Sequence, residues 1–105
     1  MLNWLKNMLG GPTADIAALL KAKASIIDVR TPQEFAGGHA KGSVNIPLSD
    51  IGKNMAKIKK MPQPIVTCCR SGQRSGMAAM KLKEQGLEVY NGGSWQNVEK
   101  LRKQQ

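Results

Sequence analysis

Apolar residues along the chain follow two patterns, short continuous runs and stripes at helical spacing. The runs are bounded by Gly, Pro or polar residues, which predicts strands buried on both faces. They occupy residues 25–29, 44–46, 64–68 and 87–90. The stripes predict helices. They occupy residues 14–23, 49–59, from Arg74 onward, and 95–103. Strands alternating with helices predict an α/β fold whose mostly parallel sheet is covered on both faces.

Capping residues mark where several of these helices begin and end. Thr13 is a plausible N-cap for the helix over residues 14–23, and Ser94 for the last helix. Thr31 followed by Pro32 fits the start of a further short helix. Gly86 is expected to end the helix that starts near Arg74.

Residues 1–12 stand apart as an amphipathic segment. Its apolar side chains fall on one helical arc, and Gly10, Gly11 and Pro12 then break the helix. Three turns of helix are not stable alone in water, so we expect the segment to bury this arc. Packing on its own domain is favoured, and pairing with a second copy or contact of residues 1–11 with a membrane surface are the alternatives.

One predicted strand runs into a cysteine that opens a short polar turn before the next helix. The turn has the sequence CRSGQ over residues 69–73. Successive backbone N–H groups in such a turn can converge on one point, and the helix N-terminus adds partial positive charge. A thiol facing that point is stabilised as the thiolate, so its pKa should fall. We therefore expect Cys69 to be a nucleophile that holds an anion on its own sulfur.

Three stretches of the chain resemble the rhodanese-like sulfurtransferases, in the order expected for that family. Residues 26–47 resemble its upstream signature, CRSGQRS at 69–75 its active-site loop, and NGGSW at 91–95 the glycine pair and tryptophan near its C-terminal end. The resemblance covers residues 13–105. It implies a rhodanese-like α/β domain with a mostly parallel five-stranded sheet flanked by helices on both faces.

The resemblance also implies a sulfurtransferase with Cys69 as its catalytic residue. The thiolate would attack the outer sulfur of a small anionic donor such as thiosulfate. The resulting persulfide would pass its sulfur to cyanide, to a thiol or to a protein acceptor. This covalent chemistry needs no metal and no organic cofactor. The rest of the loop is expected to bind the donor: Arg70, Ser71, Gly72, Gln73, Arg74 and Ser75.

Other reactive side chains are expected to have structural roles. Cys68 lies inside the predicted strand, and neighbours on a strand point to opposite faces, so we expect it in the core. By the resemblance, Asp28 and Arg30 tie loops together at the end of a central strand. His39 is expected to pack through a hydrogen bond rather than to act as a base.

Charge and cysteine content narrow the function further. Twelve lysines and four arginines against seven acidic residues give a formal net charge of +9. Lysine dominates and aromatic residues are few, which indicates an anion-attracting surface rather than a nucleic-acid reader. The two cysteines are adjacent and cannot form a disulfide bond that closes a loop of the chain. This favours a reducing compartment, the cytoplasm.

Two other functions are compatible with this sequence. A cysteine-dependent phosphatase could share the fold, but only four residues separate Cys69 from Arg74, whereas the dual-specificity phosphatases carry five. The shorter loop, residues 69–75, forms a cup that fits one sulfur atom but is too small for a phosphate group. A protein-interaction or sulfur-carrier module with little thiosulfate activity is the other alternative.

Overall fold

The four apolar runs form the strands of one parallel sheet. The structure, a computed structural model, describes residues 15–104. The strands are β1 (Ser25–Asp28), β2 (Val44–Asn45), β3 (Ile65–Cys69) and β4 (Val89–Ser94). Their order is β2-β1-β3-β4, and every neighbouring pair is parallel. The strand that ends at Cys69 therefore lies inside the sheet, with a neighbour on either side.

The α/β class is confirmed, but the expected number of five strands is wrong for this part of the chain. Residues 15–104 contain four strands. The physical reason lies in the sequence, since these residues hold four runs of buried strand type and each run is used. The connecting stretches form helices and turns instead.

Helices connect the strands and cover the sheet. They are α1 (Ile16–Lys21), α2 (Pro32–Ala36), α3 (Met55–Lys59), α4 (Gln73–Glu84) and α5 (Trp95–Lys103). The helix expected over residues 49–59 is shorter than predicted. Two 3-10 turns, Leu48–Asp50 and Gly52–Asn54, precede α3, and Gly52 is a poor residue for a continuous helix.

Local capping explains where most of these helices begin. Thr31 and Glu34 form a capping box at α2, with Pro32 in the first turn, and the Ser94 hydroxyl caps α5. The N-cap of α1 is Asp15, whose carboxylate accepts the N–H of Ala18 at 3.1 Å, and not Thr13. Asp is an equally good N-cap, and its position two residues later shortens the helix.

The core consists of one apolar layer on each face of the sheet. Side chains of β3 alternate between the faces, with Ile65 and Cys69 in one layer and Val66 and Cys68 in the other. The first layer is closed mainly by α3 and α4, and the second by α1 and α5. Helices on both faces are therefore confirmed, and α4 is the helix that packs on the Cys69 side.

The amphipathic segment over residues 1–12, with its alternative contacts, lies outside the described residues and stays a prediction. From residue 15 to residue 104, no helix is long and apolar enough to cross a membrane.

Candidate active site

Cys69 is the last residue of β3, and the chain turns directly from it into α4. Gly72 is the N-cap of α4 and has a φ of +98°, in the left-handed region. A Cβ at Gly72 would also lie 3.3 Å from Gly93 Cα. Glycine permits both features, so the loop can fold back over the end of its own strand.

The loop surrounds the sulfur of Cys69 with hydrogen-bond donors. The backbone N–H of Gly72 donates to Sγ at 3.0 Å, and that of Ser75 donates at 3.4 Å. The Ser75 hydroxyl lies 3.3 Å from the same sulfur. The predicted convergence of amides on the thiol is therefore present.

The electrostatic balance at Cys69 favours the thiolate. Burial raises the pKa of this thiol, but hydrogen bonds, among them those from the backbone N–H groups of Ser75, Gly72 and Ser71, outweigh it. The pKa of Cys69 consequently lies below its ordinary value. A thiol poised in this way reacts as a nucleophile without a separate base.

Cys68, the adjacent residue, has the opposite environment. Its side chain is fully buried in the layer beneath α1 and α5. Burial, with a further contribution from the charge of Asp28, raises the pKa of Cys68 to about 12. It is therefore an unreactive core thiol at neutral pH.

Three of the predicted donor-binding residues are solvent-exposed, and we call them the rim of the loop. They are Arg70, Ser71 and Gln73, whereas Cys69 is fully buried. Ser75 is also fully buried and lies beside the sulfur, not at the rim.

Arg74 is engaged by an acidic residue that the sequence reasoning did not single out. Its Nη1 and Nη2 atoms donate to Glu34 Oε1 and Oε2 at 2.7 and 3.0 Å. This bidentate pair, joined by hydrogen bonds from Thr31, lowers the pKa of Glu34 to about 2. The pair ties the first turn of α4 to α2, so Arg74 braces the loop as well as carrying charge near Cys69.

Asn91 on β4 anchors the loop from the opposite side. Its Nδ2 donates to the carbonyl of Gly72 at 2.9 Å. Its Oδ1 accepts the Ser75 hydroxyl at 2.7 Å and the N–H of Gly93 at 2.9 Å. One side-chain amide thus connects the cup to the neighbouring strand.

The glycine pair after Asn91 makes this close approach possible. A Cβ at Gly92 would lie 2.7 Å from Val66 Cγ1 and 2.8 Å from Val98 Cγ2, so no side chain fits. Gly93 has a φ of +83°. The register of β3 and β4 shifts between Thr67 and Cys69, which brings the β4 backbone against the loop.

Asp28 and Arg30 form a buried pair at the same edge of the sheet. Arg30 Nη2 lies 2.7 Å from Asp28 Oδ2 and also donates to the carbonyl of Gly38 at 2.7 Å. The Arg30 guanidinium lies 5.0 Å from the centre of the Trp95 ring. The pair therefore fixes the loop after α2, which is the structural role expected of it.

His39 packs through its ring, as expected. The ring stacks on Phe35 with centroids 3.7 Å apart, and Nδ1 lies 2.8 Å from the Phe35 carbonyl. Among residues 15–104, no group of three or more His, Cys, Asp or Glu side chains could hold a metal ion.

The sequence model of the Rhodanese-like domain family matches residues 1–100. The chain belongs to this family. YqhL of Bacillus subtilis is 44% identical over 70 residues, which cover 66% of this chain and 55% of YqhL. The thiosulfate sulfurtransferase PspE of Escherichia coli is 31% identical over 74 residues, covering 69% of this chain and 71% of PspE.

A solved structure shares the fold of this rhodanese-like domain. A rhodanese with anions from E. coli superimposes with a TM-score of 0.65 at 30% identity, covering 70% of this chain and 89% of that one. The chain spans only about half the length of YqhL, so its shared part is the domain and not the whole of that relative.

The sequence predicts the loop that lies around the Cys69 sulfur, but not two of the residues that support this loop. The loop over residues 69–75 does surround the sulfur. Glu34 and Asn91 were not identified as part of the site. Glu34 lies within the first of the three matching stretches, and Asn91 directly precedes the glycine pair of the third. Position within those stretches was the available signal, but the partner of each residue is set by the fold.

Proposed function

We propose that this rhodanese-like domain transfers a sulfane sulfur from thiosulfate or a similar small anion to a thiol or cyanide acceptor through a persulfide on Cys69. The observation that carries the proposal is the set of N–H donors that converges on the Cys69 sulfur. The domain proposed to do this is residues 13–105. The sulfurtransferase name of PspE and the anions in the E. coli rhodanese support the same chemistry.

The proposed reaction is a two-step covalent exchange. The Cys69 thiolate attacks the outer sulfur of thiosulfate, an S–S bond forms to the protein, and sulfite leaves with the electron pair of the bond that breaks. An acceptor thiolate or cyanide then attacks the outer sulfur of the persulfide, and Cys69 regains its thiolate. The backbone N–H donors stabilise both the thiolate and the persulfide of Cys69, because each carries a negative charge on sulfur.

The size of the cup supports sulfur transfer over phosphate chemistry. Two backbone N–H groups already lie 3.0 and 3.4 Å from the sulfur of the free thiol. Four residues between Cys69 and Arg74 leave a small loop, and the Arg74 guanidinium is occupied by Glu34. A phosphatase of this fold would need room for a tetrahedral anion and an arginine to bind it.

Burial of Cys69 favours an acceptor that reaches in through the rim. Small anions and thiols can do so, and so can a protein acceptor that presents its thiol on a narrow projection. A sulfur carrier with little thiosulfate activity is the second candidate function, and it uses the same persulfide. We propose a reducing compartment such as the cytoplasm for either function, because both cysteines are free thiols and Cys69 must stay a thiol to accept sulfur.

Substitution of the two cysteines tests the proposal. Cys69→Ser should abolish transfer from thiosulfate to cyanide, because the hydroxyl of serine is not ionised at neutral pH. Cys68→Ala should retain most of the activity, since the Cys68 thiol is buried on the other face. Circular dichroism of both variants checks that they are folded. Equal loss of activity in two folded variants would rule out the assignment of the nucleophile.

A further inference from the structure

The orientation of the Asn91 side-chain amide is fixed by its neighbours. A backbone carbonyl can only accept a hydrogen bond, and a backbone N–H can only donate one. Nδ2 must therefore face the carbonyl of Gly72, and Oδ1 must face the N–H of Gly93. Oδ1 has no proton to give, so the hydroxyl of Ser75 must be the donor in its 2.7 Å contact with Asn91.

This assignment determines how Ser75 meets the nucleophile. A serine hydroxyl carries one proton. While that proton points at Asn91, the oxygen of Ser75 presents a lone pair to Cys69 Sγ at 3.3 Å. The contact is then made by the S–H group of Cys69 as donor. The chain of hydrogen bonds runs from Cys69 through Ser75 to Asn91, so this contact favours the thiol, whereas the backbone N–H donors of Gly72 and Ser75 favour the thiolate.

Ionisation of the thiol reverses this chain. When the proton of Cys69 leaves to solvent, the sulfur keeps the electron pair and can only accept. The Ser75 hydroxyl can then stabilise the sulfur only by turning its proton away from Asn91. We propose that Asn91 is a positioning residue that competes with the Cys69 sulfur for the single hydroxyl proton of Ser75. The proposal rests on the proposed function in taking Cys69 as the nucleophile.

The charged and titratable groups described around the sulfur do not compete for the hydroxyl proton of Ser75. Arg74 of α4 carries a charge that acts on Cys69, and Glu34 of α2 holds Arg74 in place. Cys68 of β3 is the neighbouring thiol, and it stays protonated until far above neutral pH. These charges do not change when Ser75 or Asn91 is replaced, so a double-mutant cycle isolates the hydroxyl.

The cycle introduces Ser75→Ala into the wild-type protein and into Asn91→Ala. Ionisation of Cys69 is followed by the ultraviolet absorbance of the thiolate at pH values below those at which Tyr90 ionises, with Cys69→Ser as the baseline. Without Asn91, the Ser75 hydroxyl is free to donate its hydrogen bond to the Cys69 sulfur. Ser75→Ala should therefore raise the pKa of Cys69 by roughly 0.5 to 1 pH unit more in Asn91→Ala than in the wild-type protein. Any loosening of the loop by Asn91→Ala is common to both arms and cancels.

Two further variants keep the test decisive. Asn91→Val removes the same oxygen, fills the space and suits a strand, so it replaces Asn91→Ala should that variant fail to fold. Asn97→Ala is the matched control, because Asn97 also donates its amide to a backbone carbonyl, that of Gly92 at 3.2 Å, but does not contact the loop. Ser75→Ala should act in Asn97→Ala as it does in the wild-type protein.

Equal effects of Ser75→Ala with and without Asn91 would overturn the proposal. The titration uses no sulfur donor, so it is independent of transfer activity. A wild-type protein that takes no sulfur from thiosulfate would refute transfer from that donor, while the cycle would still decide the role of Asn91.

Discussion

Adjacent cysteines in this domain differ because a strand places successive side chains on opposite faces. Cys68 enters an apolar layer with no donor to stabilise a negative charge, and burial raises its pKa. Cys69 enters the other layer at the point where the strand ends, so the backbone of the next turn can reach its sulfur. The opposite pKa shifts of these two thiols thus follow from a difference of one position along the strand.

The arginines of the loop should differ in how they affect donor binding. Arg70 is exposed at the rim, so Arg70→Ala should raise the KM for thiosulfate by roughly five- to thirtyfold, or about 1 to 2 kcal/mol. Arg74→Ala should also release α4 from α2, and Glu34→Gln should reproduce part of that loss because it weakens the same pair. Steady-state kinetics with varied thiosulfate measure these effects.

Arg102→Ala is the matched control for these substitutions. Arg102 pairs with Glu99 at 2.7 Å on α5 and contacts no loop residue. It should leave the KM unchanged. An unchanged kcat/KM in Arg70→Ala would show that the backbone amides alone bind the donor.

At the level of elements, the bulged end of β4 is what supports the loop. Asn91 can reach Gly72 and Ser75 only because the two glycines after it let the β4 backbone approach the cup. Gly92 is the tighter of the two positions, since its missing side chain would overlap Val66 and Val98. Gly92 is therefore required for close packing, and Gly93 for a backbone conformation in the left-handed region.

Gly92→Ala should destabilise the domain by about 1 to 3 kcal/mol, because its methyl group must displace packed side chains on both sides. Urea unfolding measures the loss of unfolding free energy. Gly52→Ala is the control, since nothing lies within 4 Å of a Cβ there and its φ is not in the left-handed region. A Gly92→Ala protein as stable as the wild type would mean that the β4 backbone does not pack this closely against Val66 and Val98.

The hydrophobic pattern of the sequence predicted which strands and helices form. It did not predict where each one ends or which distant residues contact each other. Short apolar runs placed all four strands of residues 15–104, because burial on both faces leaves a strong signal. The helix expected over residues 49–59 breaks into turns at Gly52, where local geometry overrides apolar spacing. The Glu34–Arg74 pair joins residues 40 positions apart, and no local pattern records such a contact.

Across the whole molecule, the parallel sheet gathers the site at one edge. Cys69, Asn91 and the Asp28–Arg30 pair come from three strands, whose carboxyl ends meet there. The net charge of +9 adds a general attraction for small anions that does not depend on any single contact. The fold thus places a thiol of lowered pKa and backbone N–H donors at the same end of the sheet.

Intact-protein mass spectrometry after incubation with thiosulfate tests whether Cys69 carries a persulfide. We expect a gain of one sulfur atom, located on Cys69 by peptide mapping, lost on addition of cyanide or a thiol, and absent from Cys69→Ser. Cys68→Ala should gain the same mass. An unchanged mass in the folded wild-type protein, or a sulfur located on Cys68, would show that Cys69 does not accept sulfur from thiosulfate.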